Sequence, residues 1–380
     1  MLSRLRQVLK PRYEALNTIE INSKTLSANY NFLVSLQPSA EIYPVLKSNA
    51  YGHGLKEVCQ ILNRTKAKTV VVDSFPEAQI VYKNFKGQVL ILSEMPLAVY
   101  KYCKPGRTEF GVYNLATIKY LAENLPGVKI HLFFNSGMNR EGIADIEKFL
   151  ETAGKWLKKL EVVGFCSHLA SREVDSSLNN FQEEKFFSAL EILKNHGFNP
   201  PQVHLGNSAG IFTLADSRLT VFRAGLAFYG YNVFRPEHPA FGQAENLKPA
   251  LRFLSTIKGK QNLEAGETVS YNETYRADKN TAIALVPVGY YEGLDRRLSN
   301  QAEFKVLASQ PFMAKIAGRV CMNLVCLDCG QNEFGVGDQV ELFSVKPTDL
   351  NSLRNLANIS QTIIYELLAR LAANIHRELI

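Results

Sequence analysis

No stretch of the chain approaches the ~18 consecutive apolar residues that a membrane helix needs, so a transmembrane span is not expected. The opening segment MLSRLRQVLKPRY is basic but has no uninterrupted apolar core, and it does not read as a secretory signal. Cysteine is sparse, six in 380 residues. Cys326 and Cys329 form one CxxC with Cys321 just upstream, yet no second pair at ligand spacing follows. The segment VCMNLVCLDCG alternates like a strand, so no metal site is expected. These absences point to a reducing cytoplasm. Basic residues are dispersed, apart from a small cluster at Arg4, Arg6, Lys10 and Arg12. Nothing forms the stripe that a nucleic-acid surface would need. Long repeats and low-complexity linkers are also missing.

What is present is a chain able to bury a substantial core, with 46% hydrophobic and 21% charged residues. Its length suits one large domain plus a second. The net charge is +7, from 43 basic and 36 acidic residues, and a positive balance helps attract an anionic cofactor.

Short apolar, β-rich runs recur through the first two thirds: 41–47, 69–73, 88–92, 109–113, 129–135, 160–168, 202–206 and 220–225. Helix-like segments such as LKEVCQILNR, NLATIKYLAENL, DIEKFLETAGKWLKK and NNFQEEKFFSALEILKNH lie between them. Eight strands alternating with helices predict an α/β fold of the (β/α)8 barrel type. A doubly wound sheet is the competing architecture, although it would not normally need eight parallel strands. After about residue 250 strand-like runs are joined by short segments rich in Gly and Asp, which predicts a mainly-β second domain. The tail ISQTIIYELLARLAANIHREL has a helical period and suits a packing helix. The expected organisation is an N-terminal extension (1–16), a barrel (17–245) and a β-rich domain (246–380).

Active sites of such barrels lie at the C-terminal ends of the strands. Lys47 ends the first run and His168 the sixth. Asn207 and Ser208 follow the seventh, and Arg223 and Gly225 end the eighth. Singly, each has an ordinary reading: a solvated rim lysine, a hydrogen-bonded structural histidine, a helix cap at Asn207 and Ser208, an ion-paired arginine. Their shared placement on one rim is what points to function. The loops after strands seven and eight often hold phosphate. A lysine opposite a phosphate site is what a cofactor attached through an amine requires.

The motifs VLKSNAYGHG, SGMNREG, SHLAS, GNSAG, RAGLAFYG, VSYNETYRA, VPVGYYEGLDRRLSN and AGRVCMN occur in this order from about residue 17 onward. In that order they resemble the alanine racemase family of fold-type III pyridoxal 5'-phosphate (PLP) enzymes. The resemblance implies interconversion of L- and D-alanine, supplying D-alanine for peptidoglycan, in a homodimer with shared active sites. It implies that Lys47 carries PLP and serves as one proton-transfer base. Tyr51, Asn207, Ser208, Gly225, Tyr365 and the Leu226 N–H would bind the phosphate. His168 would lie against the cofactor ring, and Arg223 would face its nitrogen. Arginine only donates hydrogen bonds, so it would leave that nitrogen unprotonated and weaken the electron sink. The second base would be Tyr271 of the partner subunit. A free tyrosine has a pKa of about 10, so its phenolate would need positive charge nearby, with the His168–Arg223 chain as the candidate source. Without its flanking motif, Tyr271 would read as an ordinary strand aromatic. Arg140 would hold the substrate carboxylate side with Met322 of the partner subunit, and Tyr290 would narrow the entrance.

Two positions depart from the family pattern. Many members carry a lysine, often carbamylated, seven residues before the arginine of the TGM-x-R segment. Here that place is Phe133, so Arg140 needs another anchor, with Asn135 or a bound anion as candidates, or moves more freely. The family's Met-Asp pair is Met322-Asn323, which removes an acid. Both changes bear on strictness toward alanine. A broad-specificity racemase and a non-catalytic PLP-binding protein are the alternatives. A PLP decarboxylase would require an acidic partner for the ring nitrogen, against Arg223.

Overall fold

The computed structural model describes residues 15–174 and 176–380. The basic cluster at Arg4–Arg12, with most of the expected 1–16 extension, lies outside the described residues. The chain divides into two compact units, Ile21–Ala250 with the last two residues, and Leu251–Glu378 with the residues up to Glu20.

The first unit is a parallel barrel. Its strands are Glu41–Pro44, Thr69–Val72, Gln88–Ile91, Thr108–Val112, Lys129–Phe133, Glu161–Cys166, Gln202–His204 and Val221–Ala224. The second to seventh strands, Thr69–Val72 through Gln202–His204, pair in sequence order, while the first strand pairs in parallel with the last, Tyr43 opposite Arg223. Leu46 N–H donates to Val71 O at 2.7 Å, and Thr220 N–H to Val203 O at 3.0 Å. These two bonds join the paired first and last strands to the other six and close the ring. Strands buried on both faces read as continuous apolar runs, as in TVVV, where all four residues are buried. Tyr43, Val45, Val71, Leu90 and Val221 form one packed cluster inside. Outer helices carry their own start signals. Asn22 caps Ser23–Leu36 by accepting from Thr25 N–H, and Asp145 caps Ile146–Leu157 by accepting from Lys148 N–H.

The second unit is built on a nine-stranded sheet. Its order is Gly259–Leu263, Thr281–Val286, Val325–Asp328, Phe312–Ile316, Glu303–Leu307, Gln339–Phe343, Leu251–Thr256, Asn17–Ile21 and His376–Leu379. The division thus falls at Glu20/Ile21 and Ala250/Leu251, against the expected boundaries at 17 and 245/246. Residues 17–20, expected to open the barrel, belong to the sheet. Asn17 explains why: its Nδ2 donates to Pro287 O at 2.7 Å and its Oδ1 accepts from Ser255 Oγ at 2.6 Å.

The tail also differs from the single packing helix its period predicts. Helices Leu353–Ile359 and Ile364–Ala369 are separated at Gln361, whose φ of 49° is left-handed. The last residues then form an edge strand of the sheet. Sheet pairing is a tertiary gain that helical periodicity cannot register. Among the described residues no helix is long and apolar enough to cross a membrane.

Candidate active site

Lys47 follows the first barrel strand, and its position is fixed from several sides. Tyr229 Oη donates to Val45 O at 2.8 Å, which pins the strand end. Ser48, Asn49, Ala50 and Tyr51 then all have φ between 52° and 56°. Four successive left-handed residues cost roughly 1–2 kcal/mol each, so other contacts must hold them. Ala50 N–H donates to Leu46 O and Gly52 N–H to Ser48 O. Asn49 Oδ1 accepts from Leu55 N–H at 2.9 Å. Glu77 accepts from Ser48 N–H (2.6 Å) and Asp73 N–H (2.9 Å), tying the turn to the end of the second strand. Strain of this kind concentrates at functional sites; here it directly follows Lys47 and includes Tyr51. The Lys47 ammonium lies 3.7 Å from the Asp73 carboxylate.

Tyr51 stacks on Tyr229 with ring centroids 5.0 Å apart. Burial, with a smaller contribution from Asp73, pushes its pKa to about 12, so it remains a hydrogen-bond donor. A Cβ at Gly225 would come within 2.8 Å of Tyr51 Oη and 3.6 Å of Ser208 Oγ. The missing side chain therefore leaves a cradle beside both hydroxyls. Ser208 Oγ accepts from Gly225 N–H (3.0 Å) and Ala227 N–H (3.2 Å), which locks together the loops after strands seven and eight. Leu226 lies in the second of these loops. Asn207 Oδ1 accepts from the N–H groups of Ala209 and Gly210, the capping role that is its ordinary reading. A phenol donor, small residues and backbone amides around a cradle fit a phosphate group.

Arg223 is 3% exposed and anchors a buried chain that sequence reasoning missed. Its Nη1 donates to His204 Nδ1 at 2.7 Å and to His204 O at 3.0 Å, and its Nη2 donates to Ser167 O at 2.6 Å. His204 Nε2 lies 2.8 Å from His131 Nδ1, and His131 Nε2 lies 2.9 Å from Glu109 Oε2. Because arginine can only donate, each tautomer follows in turn. His204 accepts at Nδ1 and so carries its proton on Nε2. His131 must then accept at Nδ1 and donate from Nε2 to the carboxylate. Every bond runs from Arg223 toward Glu109, with His204 neutral. Burial, then the charge of Arg223, holds the His204 pKa well below its usual value. Burial alone would raise the Glu109 carboxyl, but the hydrogen bond from His131 and the charge of Lys129 keep it below the usual range. Gly164 makes the chain possible, since a Cβ there would sit 1.8 Å from His131 Nδ1. Glu109, His131 and His204 were detectable as polar residues interrupting apolar strands, although nothing local said that they point inward.

His168 lies beside Arg223, Nη2 to Nδ1 at 3.4 Å. Burial and then the charges of Arg223, Arg140 and Lys47 lower its pKa to about 3, leaving it neutral. Those influences place Lys47, Arg140, His168 and Arg223 in one neighbourhood. Asn135 does not anchor Arg140. Asn135 Oδ1 instead accepts from the N–H groups of Gly137 and Asn139, while Arg140 pairs with Glu141.

The remaining candidates belong to the second unit. Tyr271 is 68% exposed on a short turn, not in a strand. Met322 and Tyr290 are also exposed. Their backbones are braced to one another: Ser270 Oγ donates to Arg319 O, Tyr290 N–H to Cys321 O and Tyr291 N–H to Met322 O. Tyr365 is half-buried on the helix Ile364–Ala369. Asn323 Nδ2 donates to Glu292 Oε1 at 2.8 Å, so an acid is still present where the motif loses one. Cys326 and Cys329 are buried free thiols, pushed by burial up to about 11 and 12.

The family model described as alanine racemase, N-terminal domain, matches residues 21–233, and the one described as alanine racemase, C-terminal domain, matches 250–379. The chain is 30% identical over 375 residues to the alanine racemase of Leptospira interrogans, covering 94% of each. It is similar to the Bacillus anthracis alanine racemase structure with bound L-Ala-P, at 26% identity and TM-score 0.87, covering 97% of this chain and 96% of that one. It shares the fold of the Bartonella henselae alanine racemase with covalently bound pyridoxal phosphate, at 23% identity and TM-score 0.83, covering 97% and 100%. The chain belongs to the alanine racemase family, PLP-dependent enzymes that interconvert L- and D-alanine.

Proposed function

We propose that this chain racemises alanine by a two-base mechanism, with Lys47 acting on one face of Cα and Tyr271 of the partner subunit on the other. The observation that carries the reading is Arg223, held by a one-way run of donors ending at Glu109. When bound, PLP supplies the electron sink that acidifies the substrate Cα–H. Lys47 would hold the cofactor through its amine, with Tyr51, Ser208, Gly225, Leu226, Asn207 and Tyr365 around its phosphate. Arg223 can give a hydrogen bond to a ring nitrogen but has no proton to lose at neutral pH. It therefore limits carbanion stabilisation, which suits proton return over decarboxylation. Neutral His168 and charged Arg223 supply donors and positive potential at the barrel rim. Arg140 would hold the substrate carboxylate with Met322 of the partner subunit, while Tyr290 narrows access.

A homodimer is part of this reading. Tyr271, Tyr290, Tyr291 and Met322 stand exposed on braced backbone, an arrangement suited to being covered by a second copy. A cytoplasmic location goes with a reaction that feeds wall synthesis.

The test is α-proton exchange in D2O, followed by NMR, with added PLP and a panel of L-amino acids. Exchange with inversion should be fastest for L-alanine and should disappear, together with visible cofactor absorbance, in Lys47→Ala. Faster turnover of serine, lysine or arginine would make this a broad-specificity racemase. Cofactor absorbance without exchange of any amino acid would leave only PLP binding.

A further inference from the structure

The fifth barrel strand ends in Phe133, which is buried and meets Tyr113 edge-on at 6.3 Å. It supplies no charge to the loop above it, where Arg140 sits. That loop is closely built. Ile143 N–H donates to Phe133 O (2.8 Å) and Asn135 N–H to Ile143 O (2.9 Å), so the segment returns to the strand it left. Asn139 has φ 58° and Gly142 has φ 111°. A Cβ at Gly142 would lie 2.8 Å from Asn135 N. These bends bring the adjacent side chains of Arg140 and Glu141 together, although neighbours in an extended strand point to opposite sides. Arg140 Nη2 and Nε donate to the same Glu141 oxygen, at 2.8 and 3.3 Å. Among the described residues these are the only side-chain hydrogen bonds of the guanidinium, and they leave its Nη1 edge for a carboxylate.

Glu141 is also aimed at the barrel. With Arg140, Phe133, Ser167 and His168 it lines one narrow crevice. Its side chain is 25% exposed, against 53% for Arg140. Burial raises the Cys166 thiol to about 12, and the Glu141 charge adds to that against Arg223.

We infer that Glu141 is a positioning residue for substrate binding: it fixes one edge of the Arg140 guanidinium and supplies the anion that Phe133 cannot. This rests on the reading of Arg140 as the substrate-carboxylate residue. A half-exposed pair of this kind is worth up to about 1 kcal/mol, or about fivefold.

The experiment compares KM and kcat for L-alanine in Glu141→Gln, Glu141→Asp, Arg140→Gln and the double variant R140Q/E141Q. Cofactor absorbance and melting temperature confirm that each is folded. Glu141→Gln should raise KM about three- to fivefold with kcat within about twofold, and Glu141→Asp should recover most of the difference. The double variant should be no worse than Arg140→Gln, because the glutamate acts only through the arginine. An unchanged KM in Glu141→Gln beside a raised KM in Arg140→Gln overturns the inference alone. So does a kcat loss at constant KM, or full additivity in the double variant. An unchanged KM in Arg140→Gln overturns the reading of Arg140, and the inference with it. If Glu141→Gln does not fold, Glu141→Ala takes its place with the same outcomes: an unchanged KM beside a raised KM in Arg140→Gln, or full additivity in R140Q/E141A, overturns the inference.

Discussion

The barrel and the β-rich unit carry their candidate residues in opposite ways. In the barrel the polar groups are buried and bonded to one another: Arg223 is 3% exposed, and Glu109, His131 and His204 are buried with it. In the β-rich unit Tyr271 is 68% exposed, with Met322 and Tyr290 also in the open, and only their backbones are restrained. Buried polar groups need their partners within the fold, or the desolvation of each costs about 1–3 kcal/mol. Exposed aromatics on rigid backbone have their contacts still to make. The first arrangement is complete within one chain, and the second suits the second copy proposed to cover it.

Mixed dimers offer the sharpest way to break that comparison. Tyr271→Phe removes one hydroxyl from an exposed side chain, so folding and cofactor absorbance should persist. Activity should fall about 100- to 10,000-fold, the usual worth of a general base, with α-proton exchange impaired from one enantiomer more than from the other. Lys47→Ala should be inactive. Co-refolding the two in equal amounts should restore about a quarter of parental activity, because half of the dimers then hold one intact pair of bases. No recovery, with dimers shown to exchange, would place Tyr271 and Lys47 in the same chain's site. Loss of exchange from both enantiomers equally would count against two bases.

The buried chain predicts effects on stability instead. Glu109→Leu leaves His131 Nε2 without an acceptor in the barrel interior, which should cost about 1–3 kcal/mol in denaturant unfolding. Gly164→Ala places a methyl 1.8 Å from His131 Nδ1, so the ring must move and break its bond to His204. It should cost a similar amount and lower kcat through Arg223. A Gly164→Ala protein with parental stability and kcat would show that the chain is not needed to hold the guanidinium.

The contrast also governs what could be read in the sequence. Strands such as TVVV and QVLI were legible because burial on both faces leaves continuous apolar runs. Lys47, Ser208, Arg223 and Gly225 were legible because strand ends in a barrel converge whatever the details. Glu109, His131 and His204 were not, because alternation along a strand does not say which face is the interior. Glu77, which holds two backbone N–H groups across a loop, carries no local sign of doing so. Glu141 sits next to the arginine it binds, but only the left-handed bends at Asn139 and Gly142 bring the two side chains together. The strands Asn17–Ile21 and His376–Leu379 were read as the start of the barrel and the end of a helix, since their pairing is decided by the sheet between them.

The smallest effect concerns pH, and it separates the two regions once more. His168, at about 3, and His204, well below its usual value, are both held neutral by burial and by Arg223. An unfolded histidine titrates near 6.5. Below that pH the unfolded chain takes up protons that the folded barrel refuses, so stability is full above about 6.5 and is lost as pH falls. Each histidine contributes a slope of about 1.4 kcal/mol per pH unit, down to about pH 3 for His168. Glu109, also held below its usual range, acts in the same direction in more acid solution. Unfolding free energies measured between pH 7.5 and 5 should therefore decline, and His168→Gln should flatten the decline by one histidine's share. The same substitution should leave the slope unaltered above pH 7. A parental slope in His168→Gln across the acid range would mean that His168 is solvated and titrates normally, and the barrel rim would then resemble the open surface around Tyr271 more than the closed interior around Arg223.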